Sequence, residues 1–356
     1  MTASQLAFWP LSLLWLAAVK LRAGAYRMGI LRQCTLQGTV VSVGNLTTGG
    51  TGKTPMVLWL MERLTAENKE AAVLTRGYGG FLQGGKLPRN GMIFSGADAP
   101  EGLPDEVNLL ARRLGNREPP ATTAWFGVGS NRCALGRELD RRGIRWFVLD
   151  DGFQHLQLSR DADIVMVDAL IPFGSDLLPA GRLREPITAL RRADVVVITR
   201  TDSAPALEAL IARRTSAPIF YAQMRLDGIY RADAPDEILS PAASEQERMF
   251  AFCGIGNPGA FFSNARSWGL NLCGELRYRD HHRYSSADAK NIQDRALEAQ
   301  ATSLLCTEKD ACNLNMAAFT RLPLYYVRIS LHLPEAEDFW RVVLDAAKRR
   351  RASMAT

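Results

Sequence analysis

Short apolar runs, rich in β-branched residues and each ending in Gly, Asp or Thr, recur between residues 39 and 200. The runs are TVVSVG (39–44), AAVLT (71–75), IRWFVLD (144–150), DIVMVD (163–168) and DVVVIT (194–199). Strands that are apolar along their whole length belong to a sheet covered on both faces. Helical patterns lie between them, at 55–69 and 105–116. This alternation predicts an α/β fold with a doubly wound parallel sheet, in which ligands bind at the carboxyl ends of the strands.

A glycine-rich turn separates the first apolar run from the first helical pattern. Strand, glycine-rich turn and helix are the context of a P-loop, in which backbone N–H groups and the helix N-terminus surround phosphate oxygens. Lys53 would reach the β- and γ-phosphates, and the Thr54 hydroxyl would bind Mg²⁺. Thr47 stands where the usual motif has its first glycine. We therefore predict a nucleotide-binding loop formed by Thr47, Thr48, Gly49, Gly50, Thr51, Gly52, Lys53 and Thr54.

The pattern of the chain changes after Arg200, where a polar connection at 227–247 precedes a second α/β pattern. The runs FYAQMRL (220–226) and LYYVRISLHL (324–333) alternate like strands and flank this second pattern. We predict a P-loop NTPase-like domain and a smaller α/β domain, joined by a two-stranded hinge. The predicted ranges are 1–35 for an N-terminal helix, 36–217 for the P-loop domain, 218–246 for a hinge strand and connection, 247–322 for the smaller domain, and 323–356 for the return strand and a C-terminal helix.

Acidic residues adjoin the predicted elements at two places. Asp150 and Asp151 follow the strand IRWFVL, where P-loop proteins carry a carboxylate for the metal ion, although an acidic turn that merely caps a strand has the same sequence. Asp105 and Glu106 open a helical pattern, and acids at that position also simply complement the helix dipole. The sequence leaves both pairs of interpretations open.

The charge of the chain is positive and unevenly distributed. Lys and Arg number 43 against 37 Asp and Glu, and the net charge of +6 favours anionic partners. An uncharged apolar segment at 6–19 is too short to span a bilayer, and its basic residues follow it, unlike those of a secretory signal. These basic residues are Lys20, Arg22, Arg27 and Arg32. We expect an interfacial membrane anchor; a helix buried against the protein body is the alternative.

Three further features concern the partners of the chain and its redox environment. The basic run at 348–351 either adds to the membrane surface or is a solvated tail. Aromatic residues do not alternate with basic ones as in nucleic-acid modules, so we expect no nucleic-acid partner. The six cysteines include no C-x-x-C pair, which predicts neither a zinc site nor a disulfide framework and fits a reducing cytosol.

Two local patterns allow more than one function. AspHisHis at 280–282 is either part of a metal site, although no third soft ligand has suitable spacing, or a source of a general base. ThrArgThrAsp at 199–202 follows a strand as the guanine-reading motif of GTPases does, with Arg200 in place of Lys. The alternative function is therefore a membrane-associated P-loop GTPase or nucleotide switch.

Nine stretches that cover most of the chain match the motifs of one family in the family's order. They are FWPLSLLW, VSVGNLTTGGTGKTP, LTRGYGG (74–80), PDEVNLLARR, VLDDGFQH (148–155), LLPAGRLREP (177–186), AFCGIGNPGAFF, DHHRY (280–284) and CTEKDA (306–311). Together they resemble the tetraacyldisaccharide 4′-kinases of lipid A biosynthesis. The chain departs from the family pattern in LPDEVN at 103–108, where Gly-Asp-Glu-Pro is expected, but both acids are retained.

The resemblance implies transfer of the γ-phosphate of ATP, with Mg²⁺, to the 4′-hydroxyl of tetraacyldisaccharide 1-phosphate, which gives lipid IVA. The partners would then be an acylated disaccharide lipid and the membrane surface, with monotopic association at the cytoplasmic face of the bacterial inner membrane. A cleft that closes between the two domains would exclude water from this chemistry.

The resemblance also implies roles for single residues. Asp105 would take the hydroxyl proton, and His281 would be its partner from the second domain, with His282 as the alternative. Lys53 would steady the phosphates, and Glu106 would support the pair or the metal. The implied metal-binding residues are Thr54, Asp150, Asp151 and Glu185.

Overall fold

The computed structural model describes residues 3–77, 88, 90–115, 123–174 and 176–355. The end of the LTRGYGG stretch, 78–80, and the last residue of the helical pattern at 105–116 lie outside the described residues. The described α-helices are α1 (Ala3–Arg27), α2 (Lys53–Ala66), α3 (Asp105–Gly115), α4 (Arg132–Arg141), α5 (Pro205–Ala212), α6 (Pro241–Gln246), α7 (Pro258–Ser267), α8 (Ser286–Glu298), α9 (Glu308–Ala311) and α10 (Ala336–Ala355). The described strands are β1 (Thr39–Gly44), β2 (Ala71–Thr75), β3 (Met92–Ser95), β4 (Trp125–Val128), β5 (Trp146–Asp150), β6 (Ala162–Asp168), β7 (Val195–Thr199), β8 (Ile219–Arg231), β9 (Met249–Cys253), β10 (Leu272–Arg277), β11 (Ser303–Thr307) and β12 (Leu324–His332).

The chain divides into two compact units. Unit 1 comprises Met1–Gly102, Leu110–Met224 and Leu331–Thr356, and unit 2 comprises Leu103–Leu109 and Arg225–Ser330. The segment Leu103–Leu109 thus belongs to unit 2, whereas the sequence analysis included it in the P-loop domain. The exact domain boundaries stay a prediction.

The sheet of unit 1 has the strand order β8-β7-β6-β1-β5-β2-β4-β3. Neighbouring strands are parallel except at the edge, where β3 runs antiparallel to β4. All residues of β2, β6 and β7 are buried, as expected for apolar strands covered on both faces. The five predicted strands are confirmed, but the sequence analysis missed β3 and β4, whose four residues each are too short for a clear pattern.

Unit 2 has its own parallel strands, with the order β10-β9-β11-β12 followed by β8. Successive residues of β9 point to opposite faces, so that Phe250 and Phe252 pack with Ile292 of α8. Ala251 packs on the other side with Phe262 of α7. β8 and β12 are neighbours, as predicted for the two flanking strands. The predicted α/β fold class, with a doubly wound sheet and a second, smaller α/β unit, is confirmed.

The N-terminal helix α1 leaves most of its apolar side chains in contact with solvent. Leu14 and Leu21 are 68% and 76% exposed, and Ser12 is the buried residue of this helix among residues 8–27. The alternative of a helix buried against the protein body is therefore wrong. Within the described ranges, we find no helix with the length and apolar character that a membrane span requires.

The basic C-terminal run is packed against the strands of unit 1. Arg350 pairs with Asp194 at 2.8 Å and with Asp163 at 3.4 Å, and Arg351 lies 3.5 Å from Asp161. The solvated-tail interpretation is therefore wrong for these two arginines, whereas a contribution of the run to a membrane surface stays a prediction. The acids that attract them come from distant parts of the chain, so the run by itself could not reveal its partners.

Two cysteines are paired, contrary to the expectation of no disulfide. Cys34 and Cys133 form a disulfide although 99 residues separate them, and their Cα atoms are 6.2 Å apart. Cys34 precedes β1 and Cys133 lies in α4, and both belong to the apolar cluster around Phe147. Sequence spacing missed this pair because the fold, rather than a local motif, brings the two sulfur atoms together.

Candidate active site

The glycine-rich turn connects β1 to α2 in unit 1. Gly52 precedes the first residue of α2 with a φ of 88°, in the left-handed region, and a Cβ atom there would lie 2.5 Å from Cε of Met224. The Thr51 hydroxyl accepts a hydrogen bond from Nδ2 of Asn45 at 3.1 Å. No acidic residue stands in the first turn of α2, so its positive end remains available to an anion. This local geometry is that of a phosphate-binding loop.

Three arginines hold the outer side of this loop or its neighbour, Asp151. Nε and Nη2 of Arg182 donate to the Thr48 carbonyl at 3.1 and 2.6 Å. Nη2 of Arg200 donates to the Gly50 carbonyl at 3.0 Å, and Nη1 of Arg184 donates to the Asp151 carboxylate at 2.7 Å. Arg182 and Arg184 were not among the predicted site residues, although both lie in the LLPAGRLREP stretch that resembles the family. These contacts fix the loop and add positive charge around it.

The same stretch, residues 177–186, also holds the N-terminal helix. The Ser12 hydroxyl donates to the Leu177 carbonyl at 3.0 Å, and Nε1 of Trp15 donates to the Arg184 carbonyl at 2.9 Å. On its other side, the backbone N–H of Thr48 donates to the Arg182 carbonyl at 2.8 Å. One segment of unit 1 therefore contacts both α1 and the phosphate-binding loop.

The acidic pair at the end of β5 lies next to the loop lysine. Nζ of Lys53 is 3.5 Å from Oδ1 of Asp151, which has a φ of 47° directly after the strand. Burial alone would raise the pKa of Asp151, but the charges of Lys53 and Arg184 outweigh it and hold this pKa below its ordinary value. Asp150 is buried and accepts a hydrogen bond from Oγ1 of Thr75 at 3.0 Å. Asp151 is thus an ionised carboxylate at the carboxyl end of the sheet.

The donor set suits Mg²⁺ bound together with a nucleotide. Asp150, Asp151 and Thr54 offer hard oxygen atoms, and Mg²⁺ keeps several water ligands while it binds one or two carboxylates and substrate phosphates. In the part of the chain that the structure describes, no cluster of three or more His, Cys, Asp or Glu side chains could hold a metal ion by protein ligands alone. Glu185 is buried and pairs with Nη2 of Arg192 at 2.8 Å. Thr54, Asp150 and Asp151 therefore fit a metal ion that is bound together with the phosphates of a nucleotide.

Unit 2 brings Asp105 and His281 together. Nδ1 of His281 lies 2.8 Å from Oδ2 of Asp105, which is the first residue of α3 and only 4% exposed. Oδ1 of Asp105 accepts the backbone N–H of Glu106 at 2.9 Å. His281 has a φ of 57°, and its N–H donates to the Gly254 carbonyl at 3.1 Å, which orients the loop. Asp105 and His281 lie in the same compact unit, whereas the sequence analysis assigned them to two domains.

This pair is electrostatically coupled. Burial would raise the pKa of Asp105, but the hydrogen bond from His281 and the charge of Lys309 outweigh it and lower this pKa. The hydrogen bond to Asp105 in turn raises the pKa of His281, although burial and Lys309 oppose it. Asp105 is therefore ionised at neutral pH, and His281 is readily protonated. Such a pair can accept and hold a proton.

The two neighbouring histidines have different surroundings. His282 stacks on Tyr278 with ring centroids 4.4 Å apart, and its Nε2 lies 3.2 Å from Oδ2 of Asp288. His281 therefore contacts Asp105, whereas His282 contacts Tyr278 and Asp288. The metal interpretation of AspHisHis has no supporting ligand group among the residues with described positions.

Lys309 is a residue of the site that the sequence analysis missed. Its Nζ lies 3.4 Å from Oδ2 of Asp105, 3.6 Å from Oε1 of Glu106 and 3.5 Å from Oδ1 of Asp280. The sequence signal was present, since Lys309 lies in the CTEKDA stretch at the end of β11, but nothing in that stretch shows which carboxylates it faces.

Comparison with known proteins identifies relatives over almost the whole chain. A family model described as LpxK, tetraacyldisaccharide-1-P 4′-kinase, matches residues 4–348. A tetraacyldisaccharide 4′-kinase from Koribacter versatilis is 37% identical over 348 residues, 96% of this chain and 99% of that protein. One from Syntrophus aciditrophicus is 39% identical over 362 residues, 95% of this chain and 91% of that protein. A crystal structure of LpxK from Aquifex aeolicus, an "apo" form in complex with ATP, aligns with a TM-score of 0.70 and 25% identity over 96% of this chain and 99% of that chain.

Proposed function

The chain belongs to the tetraacyldisaccharide-1-P 4′-kinase family, and we propose that it phosphorylates the 4′-hydroxyl of tetraacyldisaccharide 1-phosphate to give lipid IVA. The observation that carries this proposal is the family match over residues 4–348, which includes both the phosphate-binding loop and the Asp105–His281 pair. The substrate class is a lipid A precursor. The product would enter the later steps of lipid A biosynthesis.

ATP is the proposed phosphate donor, because the structurally similar protein from Aquifex aeolicus was crystallised in complex with ATP. The loop from Thr47 to Thr54 would bind the phosphates, with Lys53 directed to the β- and γ-phosphates. Mg²⁺ held by Thr54, Asp150 and Asp151 would neutralise charge on the transferring group. Arg192 holds Glu185 by a 2.8 Å ion pair, so Glu185 would support this region through that pair.

The Asp105–His281 pair is the proposed acceptor of the hydroxyl proton. Asp105 would take the proton from the 4′-hydroxyl, and His281 would orient the carboxylate through its 2.8 Å contact. Glu106, in the same turn of α3, would support the pair through Lys309. Phosphoryl transfer depends mainly on positioning and charge neutralisation, and each of these residues supplies one of the two.

We also propose monotopic membrane association at the cytoplasmic face of the inner membrane. α1 presents exposed apolar and aromatic side chains together with Lys20, Arg22 and Arg27. Apolar side chains enter the boundary of the acyl chains, and basic ones are attracted to anionic lipid. An enzyme bound to the membrane surface in this way would have access to a lipid substrate in the same membrane.

The GTPase alternative is not favoured. The Arg200 side chain of the ThrArgThrAsp stretch pairs with Asp168 and donates to the Gly50 carbonyl, so it serves the phosphate-binding loop. The family match likewise names a lipid kinase.

The direct test is ATP-dependent phosphorylation of purified tetraacyldisaccharide 1-phosphate in detergent micelles. We expect a product with one added phosphate at the 4′ position, identified by mass spectrometry and by lability to a phosphatase. Lys53→Ala should lower kcat/KM by at least about 100-fold, since it removes a charge from the transferring phosphates. Lys290→Ala, which alters an exposed lysine of α8, is the matched control. A protein that hydrolyses nucleotide but leaves the lipid unmodified would refute the proposed function.

A further inference from the structure

One half-buried ammonium group lies near three carboxylates in unit 2. The side chain of Lys309 is 18% exposed, and its Nζ lies within 3.4–3.6 Å of Asp105, Glu106 and Asp280. Burial would lower the pKa of Lys309, but these carboxylates outweigh it and raise the pKa. The lysine therefore carries its charge at every pH at which the enzyme is studied.

The segment that carries Lys309 is fixed on both sides. Glu308 accepts a hydrogen bond from Nε of Arg328 at 3.1 Å. Asp310 accepts hydrogen bonds from the Gly254 N–H at 2.9 Å and from the Tyr284 hydroxyl at 2.8 Å. Gly254 also accepts the N–H of His281 at its carbonyl, so α9 and the histidine loop share one support. Hydrogen bonds on both sides of Lys309 thus hold the segment from which it reaches Asp105.

The hydrogen bond from His281 and the charge of Lys309 both favour the ionised state of Asp105. Asp105 contacts His281 and Lys309. Both of these residues also contact Asp280, and Lys309 contacts Glu106 of the same helix as Asp105. Without Lys309 the three carboxylates would lose the cation that lies 3.4–3.6 Å from each of them, and like charges favour protonation of one of them. A protonated Asp105 cannot accept another proton from a hydroxyl group.

We propose that Lys309 is a positioning residue for the proton transfer, which keeps Asp105 ionised and aligned with His281 and holds Asp280 beside the pair. The proposal rests on the proposed kinase function for the reaction it serves, but its electrostatic part concerns the protein alone. Lys309 acts through Asp105 and need not touch the substrate.

The first experiment measures the pKa of His281 by NMR, from the long-range ¹H–¹⁵N correlations of its ring, in the full-length protein without substrate. His155, His281, His282 and His332 are the histidines of the chain, and single substitutions assign the signals. The cation at Lys309 opposes protonation of His281, so Lys309→Met should raise the His281 pKa by roughly 0.5–1 unit. Lys309→Arg, which keeps the charge, should leave it near the wild-type value, as should the control Lys290→Met.

The second experiment measures kcat/KM between pH 3 and pH 9, because the pKa of Asp105 lies below its ordinary value of 3.8. In Lys309→Met the acidic limb should move to higher pH by about one unit, because Asp105 then holds its proton more tightly. Activity should fall about tenfold below that limb and little above pH 8. Lys309→Arg should restore most of the activity at low pH. Lys309→Gln, which retains a neutral donor, replaces Lys309→Met if that variant does not fold.

Two outcomes would overturn the proposal. An unchanged pKa of His281 in a folded Lys309→Met or Lys309→Gln protein would show that Lys309 is not electrostatically coupled to the Asp105–His281 pair. A loss of activity that is equal at all pH values assigns Lys309 a purely structural role. If the wild-type protein does not phosphorylate the disaccharide lipid, the proposed function fails, and the His281 titration still decides whether Lys309 controls the pair.

Discussion

Replacing Asp105 by Asn tests the central chemical step of the proposed function. The substitution keeps the size of the side chain and an oxygen that can accept from Glu106, but it removes the negative charge that faces His281 at 2.8 Å and Lys309 at 3.4 Å. A positioned general base contributes about 10²–10⁴-fold to the rate, so kcat should fall by that factor. KM for ATP should change little, because the phosphate-binding loop lies in unit 1.

The stability cost of this substitution should be modest. A hydrogen bond to a charged group contributes about 1.5–3 kcal/mol, and Asn retains part of the contacts of Asp105. Because the pKa of Asp105 is lowered in the folded protein, its contribution to stability is present above the ordinary pKa of 3.8 and is lost as the pH falls through the folded value. Unfolding should therefore be measured near pH 7.5, where we expect a loss of about 1–2 kcal/mol.

The double variant separates a coupled pair from two independent residues. If Asp105 and His281 act as one unit, Asp105→Asn with His281→Gln should lower kcat little more than the worse single substitution. Independent roles would give additive losses in activation free energy. The assay is steady-state phosphorylation of the disaccharide lipid at saturating ATP for the wild type, the two single variants and the double variant.

The helix-dipole interpretation of Asp105 predicts a different result. An acid that only complements a helix would cost about 0.3–1 kcal/mol of stability on substitution and leave kcat unchanged. Asp338→Asn, in the first turn of α10, provides the matched control for that effect. A folded Asp105→Asn enzyme with wild-type kcat would refute the role of Asp105 as the base.

Two further predictions concern the membrane surface and the buried histidine of unit 1. Leu14→Gln combined with Leu21→Gln should reduce binding to anionic vesicles, most clearly at high salt, while activity in detergent persists. Leu297→Gln on α8 is the control. Unchanged vesicle binding by the double variant would place the anchor elsewhere. Burial and nearby arginines lower the pKa of His155 to about 3, so the unfolded chain binds a proton below pH 6.5 that the folded protein does not. The unfolding free energy, measured by urea unfolding, should therefore fall by about 2 kcal/mol more between pH 7.5 and pH 5 in the wild type than in His155→Gln. An equal change of the unfolding free energy with pH in the two proteins would contradict a neutral buried His155.

Local sequence patterns were sufficient for the core strands of unit 1 and for the strand, glycine-rich turn and helix that contain the proposed phosphate-binding loop. The β-branched runs are apolar along their whole length, and only a sheet covered on both faces buries such strands, so β1, β2, β5, β6 and β7 could be predicted. The glycine-rich turn was equally clear, because a loop that closes around phosphate needs specific residues at adjacent positions. The family motifs then indicated which acids and histidines to consider.

Contacts between distant segments were decided by the tertiary structure alone. The partner of Asp105 lies 176 residues away in sequence. Only the fold distinguishes the two histidines, because it places His281 against Asp105 and His282 against Asp288 and the ring of Tyr278. Lys309 illustrates the same limit, since its three carboxylates come from α3 and from the histidine loop. The physical reason is that ion pairs depend on distances of a few ångströms in space, whereas a sequence motif records only neighbours along the chain.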